Sequence, residues 1–102
     1  MKRIQVRYRT HPDRAVENET LVKAVFQELK ARAPKGIRYA ALKLADGATF
    51  VHTVEIDTPD GSNPLSEIGA FKAFQKDIKE RCVEQPHASD VTLVGDYRLF
   101  EA

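Results

Sequence analysis

The stretch Ile37-Arg38-Tyr39-Ala40-Ala41-Leu42-Lys43-Leu44-Ala45-Asp46-Gly47-Ala48-Thr49-Phe50-Val51-His52-Thr53-Val54-Glu55-Ile56-Asp57 reads as two strands joined by a tight turn. Ile37 to Leu44 and Thr49 to Asp57 are the strands, and the Asp46-Gly47 pair suits a two-residue hairpin loop. With those two as turn residues the register follows. Tyr39 faces Val54, Ala41 faces His52, Lys43 faces Phe50, and Arg38 faces Glu55 in a cross-strand ion pair.

Each side of the hairpin carries a helical pattern. Upstream, from about Ala15 to Ala33, Val22, Val25, Phe26, Leu29 and Ala33 recur at spacings of three and four, the period of an amphipathic helix. Asp13 or Asn18 is its candidate cap, and Pro34-Lys35-Gly36 stops it. Downstream, beyond the turn-rich Thr58-Pro59-Asp60-Gly61-Ser62-Asn63-Pro64, a second helix is expected from about Ser66 to Val83. Ile68, Phe71, Phe74 or Gln75, Ile78 and Cys82 form its stripe.

Farther out, Ile4, Val6 and Tyr8 alternate with Gln5, Arg7 and Arg9, which is a strand. Val91 to Phe100 is the expected last strand, with Val91, Leu93, Tyr97 and Leu99 on one side. The order is β-α-β-β-α-β. It predicts an α+β, ferredoxin-like domain over 1–102, with a four-stranded antiparallel sheet and two helices on one face. The other face is expected to carry Gln5, Arg7 and Arg9 together with Tyr39, Phe50, His52, Val54 and Ile56. So much apolar surface calls for a cover. A homodimer packed sheet to sheet supplies one and encloses a lumen, a dimeric α/β barrel.

Several pieces together resemble the dimeric α/β-barrel proteins of the antibiotic-biosynthesis monooxygenase type. They are Ile4-Gln5-Val6-Arg7-Tyr8-Arg9, Gly36-Ile37-Arg38-Tyr39, Asp46-Gly47-Ala48-Thr49-Phe50-Val51 and Ala70-Phe71-Lys72-Ala73-Phe74-Gln75. The resemblance is one of pattern over nearly the whole chain. It implies a lumen that takes a small aromatic or quinol-type ligand, and oxygen chemistry without metal or flavin. The chain also departs from the family. It has no tryptophan, and Val54 stands where members often carry a glutamate. Strand one offers Gln5 and Arg7 where the haem-degrading branch has an asparagine, and the second helix has no histidine.

His52, placed mid-strand, is the candidate base for a phenolic proton. Arg7 is the candidate for holding an oxyanion. Tyr39, Phe50, Arg9, Val54 and Ile56 complete the expected substrate-binding set. The first expectation for function is therefore a cofactor-independent monooxygenase-like protein. The alternative is a non-catalytic, small-ligand-binding or regulatory dimeric barrel, which the missing tryptophan and glutamate favour.

Bulk properties narrow the field. Sixteen basic and fifteen acidic residues leave a formal charge of +1, so nucleic acid is not an expected partner. The strand Ala48-Thr49-Phe50-Val51-His52-Thr53-Val54 lacks the basic Gly-aromatic signature of RNA-recognition motifs. One cysteine cannot form an internal disulfide, and no segment approaches the roughly 20 apolar residues of a membrane span. A cytoplasmic protein is the expectation. Three histidines and one cysteine are too dispersed for a zinc site, so no metal is expected, and the family resemblance implies no cofactor.

Overall fold

The computed structural model describes residues 1–100. Strand β1 is Lys2–Thr10, helix α1 Ala15–Arg32, β2 Ile37–Lys43 and β3 Thr49–Ile56. Helix α2 is Gly69–Gln75, the single turn α3 is Ile78–Arg81, and β4 is Cys82–Asp90. The four strands form an antiparallel sheet in the order β2-β3-β1-β4. This is the expected α+β, ferredoxin-like arrangement, with the helices over one face.

The hairpin forms as its turn chemistry dictates. The Asp46 carboxylate accepts from the amides of Ala48 and Thr49, both at 2.9 Å, and from the Thr49 hydroxyl. These donors hold its pKa down to about 2. Gly47 takes φ +76°, which costs a glycine nothing. Tyr39 pairs with Val54, Ala41 with His52, Lys43 with Phe50 and Arg38 with Glu55, as the turn implies. The ion pair of Glu55 is made to Arg3 on β1 and not to Arg38.

Helix α1 starts differently from expectation. A 3-10 turn, Pro12–Arg14, leads into it and no side chain caps it. Asn18 is fully buried and does other work. Helix α2 begins after a 3-10 turn, Pro64–Glu67, where the Asn63 side chain accepts from the Leu65 amide. Its first amides are met from across the layer: the Glu28 carboxylate of α1 accepts from Ala70 at 2.8 Å and Gly69 at 3.2 Å. The Ala70 amide first, and then Arg32, keep the Glu28 carboxyl below its ordinary range.

Two expected boundaries are wrong. The second helix does not run to Val83. It breaks at Lys76-Asp77, where Asp77 has φ +61°, and the Arg81 guanidinium takes the Phe74 and Lys76 carbonyls. The stripe Ile68, Phe71, Phe74, Ile78 and Cys82 nevertheless belongs to one core with Tyr8, Val22, Val25, Phe50 and Leu65. The last strand is Cys82–Asp90, not Val91 to Phe100. Pro86 is tolerated because β4 lies at the sheet edge and bonds to β1 alone. Its ladder is irregular there: Arg7 pairs with His87 but Arg9 with Glu84, so β4 carries an extra residue at a bulge. Tyr97, expected on a strand facing the helices, is 87% exposed.

The face expected for the β2–β3 hairpin is also inverted, while Gln5, Arg7 and Arg9 keep the open face expected for them. Antiparallel partners share a face, and β1 pairs Ile4 with Val54, Val6 with His52, Tyr8 with Phe50 and Lys2 with Ile56. Phe50, His52 and Ile56 are buried, and they lie with Tyr39 and Val54 beneath the helices. Gln5, Arg7 and Arg9 alternate to the opposite side, beside Thr53, Val51 and Thr49. The open face is thus more polar than expected, and the space around His52 lies within a single chain.

Candidate functional site

Between the sheet and α2 is a cavity of about 410 Å³. Its floor is Ile4, Val6 and Tyr8 of β1, Tyr39 of β2, and His52 and Val54 of β3. Leu65, Phe71, Phe74 and Ile78 cover it, and Pro86 and Ala88 of β4 close one side. Asn63 and Gln75 also line it, and the rest of the lining apart from His52 is apolar or aromatic. Such a space with a few convergent polar groups is what small-molecule sites look like.

The polar groups converge on His52. Its Nε2 lies 2.8 Å from the Tyr8 hydroxyl and its Nδ1 2.5 Å from the Tyr39 hydroxyl. Asn18 Nδ2 donates to Tyr8 Oη at 2.9 Å, and Arg81 Nε donates to Asn18 Oδ1 at 3.3 Å. Arg81 is itself almost wholly buried. Its remaining nitrogens donate to the Lys76 carbonyl at 2.9 Å and the Phe74 carbonyl at 2.6 Å. The guanidinium lies 5.5 Å from the centre of the Phe74 ring. Phe74 in turn stacks on His52 with centroids 5.4 Å apart, and Tyr8 stacks on Phe50 at 5.5 Å.

Burial sets the charge states. Removing the imidazole from water pushes the His52 pKa down to about 4, so the ring is neutral at pH 7. Burial raises both tyrosine hydroxyls above their ordinary range, so each is a neutral O–H. The Cys82 thiol is likewise raised by burial and packs as a core residue.

Of the residues singled out in the sequence, His52, Tyr39 and Val54 line this cavity. Phe50 and Ile56 share their side of the sheet, but Phe50 is core packing against Tyr8 and Ile56 does not reach the lining. Arg7 and Arg9 are on the other face. Arg7 is exposed, and Arg9 pairs with Glu84 at 3.1 Å. Neither meets His52, because a one-residue step along a strand turns a side chain to the opposite face. Sequence reasoning missed Tyr8, Asn18 and Arg81 as parts of the site. Tyr8 had a signal, its place in the apolar alternation of β1. Arg81, in the charged run Lys79-Glu80-Arg81, had none. Among the described residues no group of His, Cys, Asp and Glu is arranged to hold a metal ion, and no helix is long and apolar enough to cross a membrane.

Solved structures with this architecture are numerous. A Nitrosomonas europaea protein provisionally named an antibiotic biosynthesis monooxygenase superposes with a TM-score of 0.73 at 14% identity, over 93% of this chain and 100% of that one. Rv0793 from Mycobacterium tuberculosis gives 0.66 at 16% identity, covering 92% and 95%. A variant of SnoaB, a cofactor-independent oxygenase from Streptomyces nogalater, gives 0.64 at 18%, covering 92% and 93%. The chain has the antibiotic-biosynthesis monooxygenase fold. At these identities the likeness is one of fold, and function has to be argued from the cavity. No family model matches the sequence, and no curated protein does.

Proposed function

We propose that this protein is a cofactor-independent oxygenase that takes a small, planar aromatic or quinol-type substrate into the cavity between sheet and helices. The observation that supports it is the hydrogen-bonded cluster Tyr8-His52-Tyr39, set in a mostly apolar and aromatic space whose other polar lining residues are Asn63 and Gln75. A phenolate gives up an electron to dioxygen far more readily than a phenol does. The step the residues must assist is removal of one proton, and His52 is the base. Its lone pair is engaged by a tyrosine hydroxyl, so the proton travels by relay: the tyrosine oxygen takes the substrate proton as its own proton passes to the imidazole. An imidazolium formed beside a phenolate is partly compensated by that charge, since opposite charges attract strongly away from water.

Oxygen uptake with a panel of quinols and hydroxylated anthracenes, in protein stripped of metal and flavin, tests this. Turnover by the wild type and a loss of about 100-fold or more in His52→Ala are expected. Unchanged turnover in the variant would remove the base.

A second reading, a binding protein without chemistry, is favoured by one observation. Both His52 nitrogens are already engaged, and the ring resists protonation. Ligand binding with no oxygen consumption would establish it.

We further propose a homodimer. Leu93, Val94, Tyr97, Leu99 and Phe100 are 53–100% exposed beyond β4, an apolar segment that a second copy would cover. Light scattering on a sizing column is expected to give the mass of two chains, and the mass of one would refute the pairing.

A further inference from the structure

The hydrogen-bond chain through His52 has a direction, and the direction is fixed at its buried end. Arginine has donors only, so the Asn18 atom facing Arg81 Nε is the carbonyl oxygen. The amide nitrogen of Asn18 is therefore turned to Tyr8 and donates to its Oη. The single Tyr8 proton cannot point back at that donor. It points to the other partner of the hydroxyl, Nε2 of His52. A neutral imidazole has one N–H. With Nε2 accepting, the proton sits on Nδ1 and is donated to Tyr39 Oη. The Tyr39 hydroxyl proton has no place on the histidine side and turns to the cavity that Tyr39 lines.

We propose that Arg81, acting through Asn18, fixes the His52 tautomer as Nδ1–H and makes Tyr39 a hydrogen-bond donor to the cavity, which thereby selects aromatic ligands bearing a carbonyl or other acceptor oxygen at that point. Arg81 and Asn18 are positioning residues, since neither lines the cavity. The ligand preference rests on the reading of the cavity as an aromatic site; the tautomer does not. The same direction divides the two tyrosines. Tyr39 holds an acceptor oxygen, while Tyr8 is the hydroxyl whose own proton already faces the basic lone pair.

The test uses the full chain labelled with ¹⁵N-histidine at pH 7, the His52 signals being assigned by their loss in His52→Gln. The wild type is expected to show Nδ1–H. Asn18→Asp keeps the shape but has no donor. Its carboxylate pairs with Arg81 and takes the Tyr8 proton, so the chain reverses and His52 is expected as Nε2–H. Nε2–H in the wild type, or one tautomer in both proteins, would overturn the proposal.

Ligand selection is read with 9-fluorenone and fluorene, which share a skeleton and differ by one carbonyl. The wild type is expected to bind fluorenone about 3- to 10-fold tighter than fluorene, as one hydrogen bond allows. Tyr39→Phe should lose that preference while still binding fluorene. A preference that survives in Tyr39→Phe refutes the donor role. If neither compound binds, the aromatic-site reading falls and the tautomers still decide the direction of the chain.

Discussion

Phe74→Ala is expected to destabilise the fold by about 3–5 kcal/mol. The ring is 5% exposed and stands where three layers of contact meet. It stacks on His52, lies 6.2 Å from Tyr8 and 6.1 Å from Phe71, and supports the Arg81 guanidinium. Truncation removes the burial of a large aromatic and leaves a void, because the sheet below cannot rise to fill it. It also strips the apolar cover from a buried charge whose hydrogen bonds go to carbonyl oxygens. Urea unfolding followed by circular dichroism measures the loss. In a chain of this size the melting temperature should fall by about 15 °C or more. Lys72→Ala, on the exposed side of the same helix, should change stability by less than about 0.5 kcal/mol. A loss of about 1 kcal/mol or less for Phe74→Ala would mean that the core is not centred on this ring.

The second large effect is a loss of stability in acid that traces to one histidine. In the unfolded chain His52 takes a proton near pH 6.5, whereas burial in the fold holds its pKa at about 4. Between those values the unfolded state binds the extra proton, so stability falls as pH falls. The contribution is fully present above pH 6.5 and gone below about pH 4. Each tenfold difference in proton affinity is about 1.4 kcal/mol, so the interval amounts to about 3 kcal/mol. His52→Gln can still hydrogen-bond but does not titrate. From pH 7 to pH 4 the wild type should lose about 3 kcal/mol more than this variant in parallel urea titrations. Carboxylates held low by their partners, such as Asp46, affect both proteins alike and cancel. Equal pH slopes would show that His52 is hydrated and not enclosed.

How far the sequence reaches follows from which constraints are local. The Asp46-Gly47 turn pins the β2–β3 register, so the pairs Tyr39–Val54 and Ala41–His52 are legible from a few residues. Which side of that hairpin meets the helices is decided by pairing with β1, more than forty positions away in sequence, and no local signal marks it. Both sides carry apolar residues: Phe50, Val54 and Ile56 on one, Val51, Ala40 and Leu42 on the other. The hairpin's assignment inverted for that reason, while Arg7 and Arg9 kept the open face expected for them and were thereby parted from His52. The last strand was misplaced by a related effect. Val91, Leu93, Tyr97 and Leu99 alternate well, whereas Cys82–Asp90 is mostly exposed and interrupted by Pro86. An edge strand needs only one ladder and little burial, so its sequence is weakly constrained. The helical stripe through Phe71 and Phe74 was legible because burial preserves its spacing even where the helix breaks at Asp77. Arg81 was not legible, since a buried arginine and a surface one look alike in sequence until the carbonyls that receive it are placed.

The proposed site lies inside a single chain, under α2, and not on the open sheet face. Titration of 9-fluorenone into uniformly labelled protein, followed residue by residue by NMR, decides between the two. Shifts concentrated at Val6, His52, Phe71, Ile78 and Ala88 are the expected result. Shifts concentrated at Arg7, Val51, Thr53 and Leu42 would contradict it and return the ligand to a lumen between sheets.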